Sequence, residues 1–518
     1  MATDNSSYTS PKHKLLNFFH SSRDKWKAKC IEAKATIKTL KNRIRFLEHS
    51  KEEWKEKAKQ RETENAELKT RLLQVEKELE ESKKKEIEQP LKIANFELFD
   101  LAIPRQHFSV GEVLWFMSLV LSAATSLRAS SEAMSITSDL FGLGIAIPSW
   151  TSGRLWLLRL GYYKLTRAKE KAEDWVWIVD HHIEVGEGKC LIILGIRLSQ
   201  MPEVGQCLRH EDVEAIELCP VHESNGKIVH QQLKKAVKKT GIPRAIVGDQ
   251  GSDLKKGIEE FCQTHKQVSY IHDIKHATAT VLKRELNDDP SWIAYTGLMG
   301  RTKSRLQQTE LAHLCPPAQR TKARYMNIDQ QIEWGTKTLM LVDQASLEGK
   351  NGIQIVEKLG WLREHREDLA EWKEILEMVK GSEEFVRRQG LYQGGERSLE
   401  KELGPKPKSE RARKIREELV EFVAGESAKA KQGERLLGSS EIIESVIGKL
   451  KRVEGEPSAR GLTGMILSVA AIVSKTTREV VQTGLEKIKT KKVHEWCKKN
   501  LGKTLPAKRK EAYAVAKT

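Results

Sequence analysis

Cysteine pairs and long apolar runs are both lacking in this chain of 518 residues. Its seven cysteines are scattered without a Cys-x-x-Cys pair, which argues against a zinc-binding cysteine cluster and against a disulfide-linked scaffold. The longest uncharged apolar stretch, 113–127, is shorter than the roughly 18 residues that a membrane-spanning helix needs. The first ten residues are polar and lack a signal-peptide pattern. We therefore expect a soluble cytoplasmic protein with no membrane partner.

Acidic residues are outnumbered, with 72 Asp and Glu against 89 Lys and Arg, so the formal net charge is +17. A balance this basic favours a polyanionic partner, most often nucleic acid. The length is enough for two to four domains.

A seven-residue pattern extends from Cys30 to Leu79. Its apolar positions recur every 3.5 residues on average and form one narrow seam, which is typical of a coiled coil. Asn65 at a seam position would fix the register of a parallel dimer. We predict a coiled coil and N-terminal arm over residues 1–90 and a homodimer; the alternative is a solvated, charged helix without a partner.

Residues 91–172 have the pattern of three helices separated by short turns that contain Gly and Pro. The third begins after a good N-cap and carries basic and aromatic side chains, as the recognition helix of a helix-turn-helix domain does. This interpretation places five residues near DNA bases: Ser149, Trp150, Thr151, Ser152 and Arg154. The alternative is an ordinary helical bundle.

Residues 173–285 predict an α/β core. The apolar runs 175–179 and 190–197 flank a turn and indicate a β-hairpin, and three further strands and their helices follow. Asp180 and Asp249 each come directly after an apolar strand. If these strands are neighbours, the two carboxylates repel each other unless a cation lies between them. Mg²⁺, or Mn²⁺, suits such oxygen ligands.

A third carboxylate would complete a site for two metal ions. The helical, charged segment 286–435 contains four tryptophans, which we expect in its core, and residues 436–475 then supply Glu441 and Glu444, three apart on one helix. Residues 476–518 have the composition of a basic tail.

Two strand-end aspartates, a helical insertion and a later helical Glu in this order resemble the DDE transposases of bacterial insertion sequences. The resemblance implies an α/β ribonuclease-H-like catalytic core with an N-terminal coiled coil, a helix-turn-helix-like helical domain and an α-helical insertion. It implies that Asp180, Asp249 and Glu444 are the catalytic metal ligands, with Glu441 as the alternate.

In one related group, a Lys seven residues after the Glu contacts a DNA phosphate. Glu444 and Lys451 have that spacing, but the Tyr and Arg of the same signature fall at Leu437 and Ser440, so the full signature is absent. Near Asp273, a further strand-end acid, Lys275 and His276 are expected to contact DNA; the alternative is an ion-paired turn.

The function implied is that of an insertion-element transposase. It would bind terminal inverted repeats in double-stranded DNA, cleave the strands with a divalent metal and join them to target DNA, in a prokaryotic cytoplasm at the nucleoid. Two other classes fit the same residues: a catalytically inactive coiled-coil DNA-binding regulator, and a structure-specific ribonuclease-H-like nuclease.

Overall fold

The computed structural model describes residues 101–183, 188–318, 328–345, 349–454 and 461–515, together with 16–31 and separate positions between 11 and 69 and at 99. The chain divides into two units, Met1–Ala94 and Asn95–Thr518.

In the first unit, residues 16–31 are helical and almost entirely exposed. Of the predicted seam, Ile37 and Ile44 are helical and 52% and 55% exposed in the single chain. Most other seam positions, Asn65 among them, lie outside the described residues. The coiled coil and the homodimer stay predictions.

A five-stranded mixed sheet lies in the second unit, with strand order β3-β2-β1-β4-β5. The strands are β1 Trp175–Ile183, β2 Lys189–Arg197, β3 Glu214–Val221, β4 Ala245–Gly248 and β5 Ser269–His272. β2 is antiparallel to β1 and β3, whereas β4 is parallel to β1 and β5. This mixed α/β arrangement is compatible with a ribonuclease-H-like fold.

Helices surround this sheet. In the described part of the second unit they are α1 Val110–Leu121, α2 Leu127–Phe141, α3 Trp150–Thr166, α4 Gly226–Thr240, α5 Ser252–Thr264, α6 Ile274–Leu286, α7 Pro290–Leu306, α8 Asp329–Ala345, α9 Gly349–Leu359, α10 Arg366–Gln389, α11 Gly395–Glu402, α12 Glu410–Ser427, α13 Glu441–Glu454, α14 Ser468–Ile472, α15 Arg478–Lys487, α16 Thr490–Asn500 and α17 Leu505–Val515. Across the described residues, no helix combines the length and the apolar character that a bilayer crossing needs.

The first strand is longer than the sequence predicts. We expected it to end at Asp180, but β1 continues to Ile183 because the residues after Asp180 still pair with β2. The pairing of β1 with β4 stops earlier, at Val179 opposite Gly248. Asp180 is therefore the first residue of β1 beyond β4, and not the last residue of the strand.

Alternate side chains of β1 contact different helices. Trp177 and Val179 share a core with α4 and α5, whereas Ile178 shares a second core with α13 and α14. Because successive side chains of a strand point to opposite faces, Asp180 continues the face of Ile178. The carboxylate therefore lies on the side of the sheet that α13 covers.

The segment 91–172 packs into the main core. Helices α1 to α3 share one buried cluster with the sheet and with α13 to α15. Ser149 caps α3 as predicted, since its Oγ accepts a hydrogen bond from the backbone of Ser152. However, most of α3 is enclosed, and Trp156, Arg159 and Lys164 are all less than a tenth exposed. The exposed residues of this predicted recognition helix are Trp150 and Thr151 in its first turn and Thr166 at its end.

Two basic residues of α3 have partners within the protein. Arg159 Nε donates to the carbonyl of Ile488 at 2.6 Å. Lys164 Nζ lies 2.9–3.0 Å from four oxygens, which belong to Ala471, Val473, Ser474 and Thr476. Burial lowers the pKa of Lys164 to about 7, and the four oxygen partners offset part of the cost of enclosing its charge. These side chains hold the C-terminal region in place and do not face a ligand.

The helical insertion has a core of its own, formed by residues between 281 and 419. Trp292 and Trp372 are buried in it, and Trp334 and Trp361 pack against it, so all four tryptophans contribute to the core as expected. The segment 476–518 is helical where described. α15 packs against α1 and α3, and α16 packs against α3 and β3.

Candidate catalytic site

Asp180 and Asp249 come from neighbouring strands. β1 and β4 are parallel, and their pairing ends where Val179 lies opposite Gly248. The next residue on each strand is one of the two aspartates, so both leave the sheet at the same edge. The condition on which the sequence argument depends, that the two strands are neighbours, is met.

The carboxyl group of Asp180 lies where its charge is disfavoured. Burial is the main cause and the charge of Asp249 the next, and they raise its pKa to about 7. The charge of Glu444 adds to this rise. A hydrogen bond of 2.7 Å from the backbone N–H of His181 and the charge of His276 act in the opposite direction. A bound cation would relieve this crowding of negative charge.

The turn after β4 fixes Asp249. Its Oδ1 accepts a hydrogen bond from the N–H of Gly251 at 3.1 Å, and its carbonyl oxygen accepts one from the hydroxyl of Tyr270 on β5. A Cβ atom on Gly251 would lie only 3.2 Å from that Oδ1, so glycine leaves the carboxylate room to fold over its own turn. Asp249, Gly251 and His276 border a cavity of about 410 Å³, which can admit a substrate group.

Glu441 and Glu444 both lie in the first turn of α13. Lys275 contacts both, since its Nζ lies 2.9 Å from Glu444 Oε2 and 3.6 Å from Glu441 Oε1. Glu441 also lies 3.7 Å from Arg387 of the insertion. The charge of Glu444, by contrast, acts on Asp180. Glu444 is thus the carboxylate near the aspartates, and Glu441 is turned to the insertion.

A buried hydrogen-bond network joins the N-termini of α6 and α13. Asp273 is 1% exposed and caps α6 by accepting a hydrogen bond of 3.0 Å from the N–H of Lys275. Its other carboxylate oxygen accepts a bond of 2.6 Å from Ser440, the residue before α13. Asp273 therefore sets the distance between Lys275 and Glu444, and burial raises the pKa of its carboxyl group.

Lys451 lies on α13 two turns after Glu444, and its side chain is exposed. Burial, and then the charge of Lys451, lower the pKa of His182 to about 4, so Lys451 is a neighbour of His182. One face of α13 thus carries Glu444 near Asp180 and Lys451 near His182. Lys451 thus places a positive charge near the end of β1, and His276 borders the cavity beside Asp249.

The five residues predicted to contact DNA bases lie at the start of α3. Ser149, Trp150 and Thr151 are exposed, whereas Ser152 and Arg154 are half-buried. Burial raises the pKa of the Cys497 thiol on α16, and the charge of Arg154 opposes this rise. The first turn of α3 therefore lies beside α16, among the C-terminal helices.

The opposite face of β1 carries a polar cluster that the sequence reasoning missed. His181 Nε2 lies 3.2 Å from Ser224 Oγ, and His181 Nδ1 lies 3.7 Å from Asp253 Oδ2. No spacing in the sequence connects His181 and Asp253 through Ser224. This cluster holds the end of β1 against α5.

Glu383 on α10 was missed as well. Burial is the main cause that raises its pKa to about 7, and Thr278 donates a hydrogen bond to it. With Lys275 and Glu441 it lines a cavity of about 530 Å³. No sequence signal distinguishes Glu383 from the many other glutamates of the insertion.

Carboxylate oxygens are ligands that Mg²⁺ and Mn²⁺ prefer, and binding of either ion at these residues stays a prediction. Among the described residues, no three His, Cys, Asp or Glu side chains are grouped closely enough to hold one metal ion. Mg²⁺, however, is commonly bound through one or two carboxylates together with substrate phosphates. Asp180 and Asp249 provide those two, while Glu444 forms its ion pair with Lys275. The residues thus fit an ion that binds together with DNA.

No family model and no curated protein matches the chain. A solved structure, the Drosophila P element transposase strand transfer complex, is similar to it with a TM-score of 0.38 and 12% identity, over 78% of this chain and 100% of that one. The function proposed below depends on the carboxylates of this chain alone.

Proposed function

We propose that this chain is a DDE transposase of a bacterial insertion element, which cleaves DNA and joins its strands with a divalent metal. One observation carries the proposal. Asp180 and Asp249 follow the last paired residues of two neighbouring parallel strands, and the charge of Glu444 acts on Asp180 from α13. Two carboxylates at one sheet edge, with a third on the helix that covers this side of the sheet, would supply oxygen ligands for metal-assisted phosphoryl transfer.

Each residue has a defined task in the reaction. A bound Mg²⁺ or Mn²⁺ would polarise the scissile phosphate and lower the pKa of the attacking water or 3′-hydroxyl group. Asp180 and Asp249 would hold the metal, and their rigid attachment to the sheet fixes its position. His276 and Lys451 lie beside them and would hold the flanking phosphates, so that the reacting phosphorus faces its nucleophile.

Glu444 would join the aspartates once Lys275 releases it. The ammonium group of Lys275 lies 2.9 Å from Glu444 and is 22% exposed, so it is within reach of solvent and of a DNA phosphate. If a DNA phosphate formed an ion pair with the ammonium group of Lys275 in place of Glu444, the Glu444 carboxylate would be free to bind the metal. Binding of DNA and completion of the site would then be coupled.

Assembly on DNA is part of the proposal. Two element ends require two active sites, and a coiled coil over residues 1–90 would bring two protomers together. The start of α3, with exposed Trp150 and half-buried Arg154, would contact the inverted repeats. The same protein would capture target DNA in the cytoplasm at the nucleoid.

Strand transfer is the direct test. Labelled double-stranded DNA from the region that flanks the gene is incubated with plasmid and with Mg²⁺ or Mn²⁺, and joined products are separated on a gel. Asp180→Ala and Asp249→Ala should lose joining while they keep DNA affinity, because phosphate contacts do not need the metal. Asp253→Asn, at a carboxylate that contacts His181 on the other face of β1, is the matched control and should stay active.

The ion pair between Lys275 and Glu444 favours a second candidate, a DNA-binding regulator whose core is catalytically inactive. In that protein the lysine would neutralise the third carboxylate permanently. DNA binding without metal-dependent cleavage by the unaltered chain would support this candidate against the transposase. Cleavage without joining would instead identify a structure-specific nuclease.

A further inference from the structure

A cavity of about 310 Å³ lies between the end of β3 and the link that joins α16 to α17. Its wall is formed by the backbone at the ends of β2 and β3, by Leu462 and by the side chains of His222, Lys499, Lys503 and Lys508. We name it the C-terminal cleft. The close approach of its two sides depends on Gly502, where a Cβ atom would lie 3.1 Å from the ring of His222.

The side chains that line the C-terminal cleft include three lysines and no carboxylate. Lys503 has an ion pair with Glu511 at 2.8 Å, which leaves the balance positive. The first residues of α17 also line the cleft, so the partial positive charge of a helix N-terminus adds to that of the lysines. Cations gathered on one side of a cleft are suited to an anionic ligand.

The C-terminal cleft opens at the same sheet edge as the carboxylates. Lys189 of β2 pairs with Ile183 on one side and with Val221 on the other, so the ends of β1 and β3 are level. Two strand spacings across the sheet and three residues along β1 separate Val221 from Asp180, a distance of roughly 14 Å. Lys451, next to His182, lies at the end of β1 between them.

The segment 476–518 contains twelve Lys and Arg against four Glu, a net charge of +8 out of +17 for the whole chain. Such a density suits a polymer of negative charges better than a single small anion. Duplex DNA carries one charge per about 1.7 Å of its axis, so a duplex with one phosphate at Asp180 would present several more along the sheet edge.

We propose that the C-terminal cleft binds the phosphodiester backbone of the DNA on one side of the reacting phosphate. The proposal rests on the proposed function, because it requires DNA at the carboxylates. The cleft holds the backbone through Lys499, Lys503 and Lys508, and it fixes the direction in which the duplex leaves the site. It contacts no base and adds affinity without sequence preference.

The test compares two sets of lysines in the full-length chain. One variant carries Lys499→Ala, Lys503→Ala and Lys508→Ala. The matched control carries Lys491→Ala, Lys492→Ala and Lys498→Ala, which removes the same charge from exposed positions of the same segment outside the cleft. Binding of a fluorescent duplex of about 30 base pairs is measured over a range of KCl concentrations, and thermal melts check that both variants fold.

The cleft variant should bind more weakly, on the order of 10-fold at about 0.15 M salt, and its slope of log affinity against log salt should fall by two to three, since each lost phosphate contact contributes about 0.9. The control should change the slope by less than about one. Equal changes of DNA affinity and salt slope in the two variants, or no change in either, would overturn the proposal that the cleft binds DNA. If the unaltered chain shows no salt-dependent DNA binding, the proposed function itself fails, which is a different result.

Discussion

The two halves of one sheet edge carry opposite charge in different ways. At β1 and β4, short carboxylate side chains are fixed by strand pairing and by backbone hydrogen bonds, as for Asp180 and Asp249. Beyond β3, the charge of the C-terminal cleft is on the long, exposed lysine side chains of α16, of α17 and of the link between them. A small ion needs donors held within tenths of an ångström, whereas a repeating polymer needs only positive charge within reach. Loss of an acid should therefore stop turnover, and loss of a lysine should weaken binding.

The largest expected effect separates the two glutamates of α13. Glu444→Gln should reduce strand cleavage about 10³-fold, a loss of about 4 kcal/mol of transition-state stabilisation, because an amide lacks the negative charge that a carboxylate brings to a metal. Glu441→Gln, three residues away and in contact with Arg387, should change cleavage by less than about 3-fold. Both variants are measured in one cleavage assay with melts alongside. The reverse pattern would assign the ligand to Glu441.

A smaller effect concerns pH. The pKa of Asp180 is raised to about 7 in the folded protein, against about 3.9 in an unfolded chain. The folded state then binds more protons between these values, so its stability is greatest below about pH 4 as far as this group is concerned and falls as pH rises through 7. We expect a decrease of about 1 kcal/mol per pH unit between pH 5 and 7 without metal.

Urea unfolding at several pH values, with the metal chelated, measures this dependence. Asp180→Asn should flatten the decrease, whereas Asp139→Asn, at an exposed carboxylate on α2, should leave it unchanged. If wild type and Asp180→Asn lose the same stability per pH unit, the Asp180 carboxyl group does not have the raised pKa on which this prediction depends.

The smallest effect concerns Lys275. Lys275→Met frees Glu444 from its ion pair, so Mn²⁺ should bind several-fold more tightly in the absence of DNA, by about 1 kcal/mol, the contribution of a partly exposed ion pair. Lys275→Arg keeps a cation at the same place and should bind Mn²⁺ like the unaltered chain. Calorimetric titration of Mn²⁺ into the DNA-free proteins measures these affinities. Weaker binding by Lys275→Met would contradict the proposal that Lys275 keeps Glu444 from the metal.

The strand-end aspartates could be recognised from the sequence because each follows a continuous apolar run, and neighbouring strands bring them to one edge. The choice between Glu441 and Glu444 could not be made from spacing, since both are in the first turn of one helix. It depends on how α13 is held, and the bond from Ser440 to Asp273 joins residues 167 apart. No local pattern contains that contact.

Helix α3 is more deeply buried than its sequence indicates, for a related reason. A helix with Arg159 and Lys164 has the composition of a DNA-binding helix, and only the carbonyl groups that surround these cations reveal that they are internal. Similarly, the composition of residues 476–518 predicts a basic tail, yet α15 and α16 pack on α3. Composition describes which charges are present, and the tertiary contacts decide which of them face solvent.

The contacts of α3 with the C-terminal region have a consequence for how the protein is made. Lys164 reaches Ala471 across 307 residues, and Arg159 reaches Ile488 across 329. At about 5 to 20 residues per second, a ribosome needs roughly 15 to 60 s to synthesise the chain between these partners. During that time α3 lacks its C-terminal partners, so this part of the core can form only after the last helices have been synthesised.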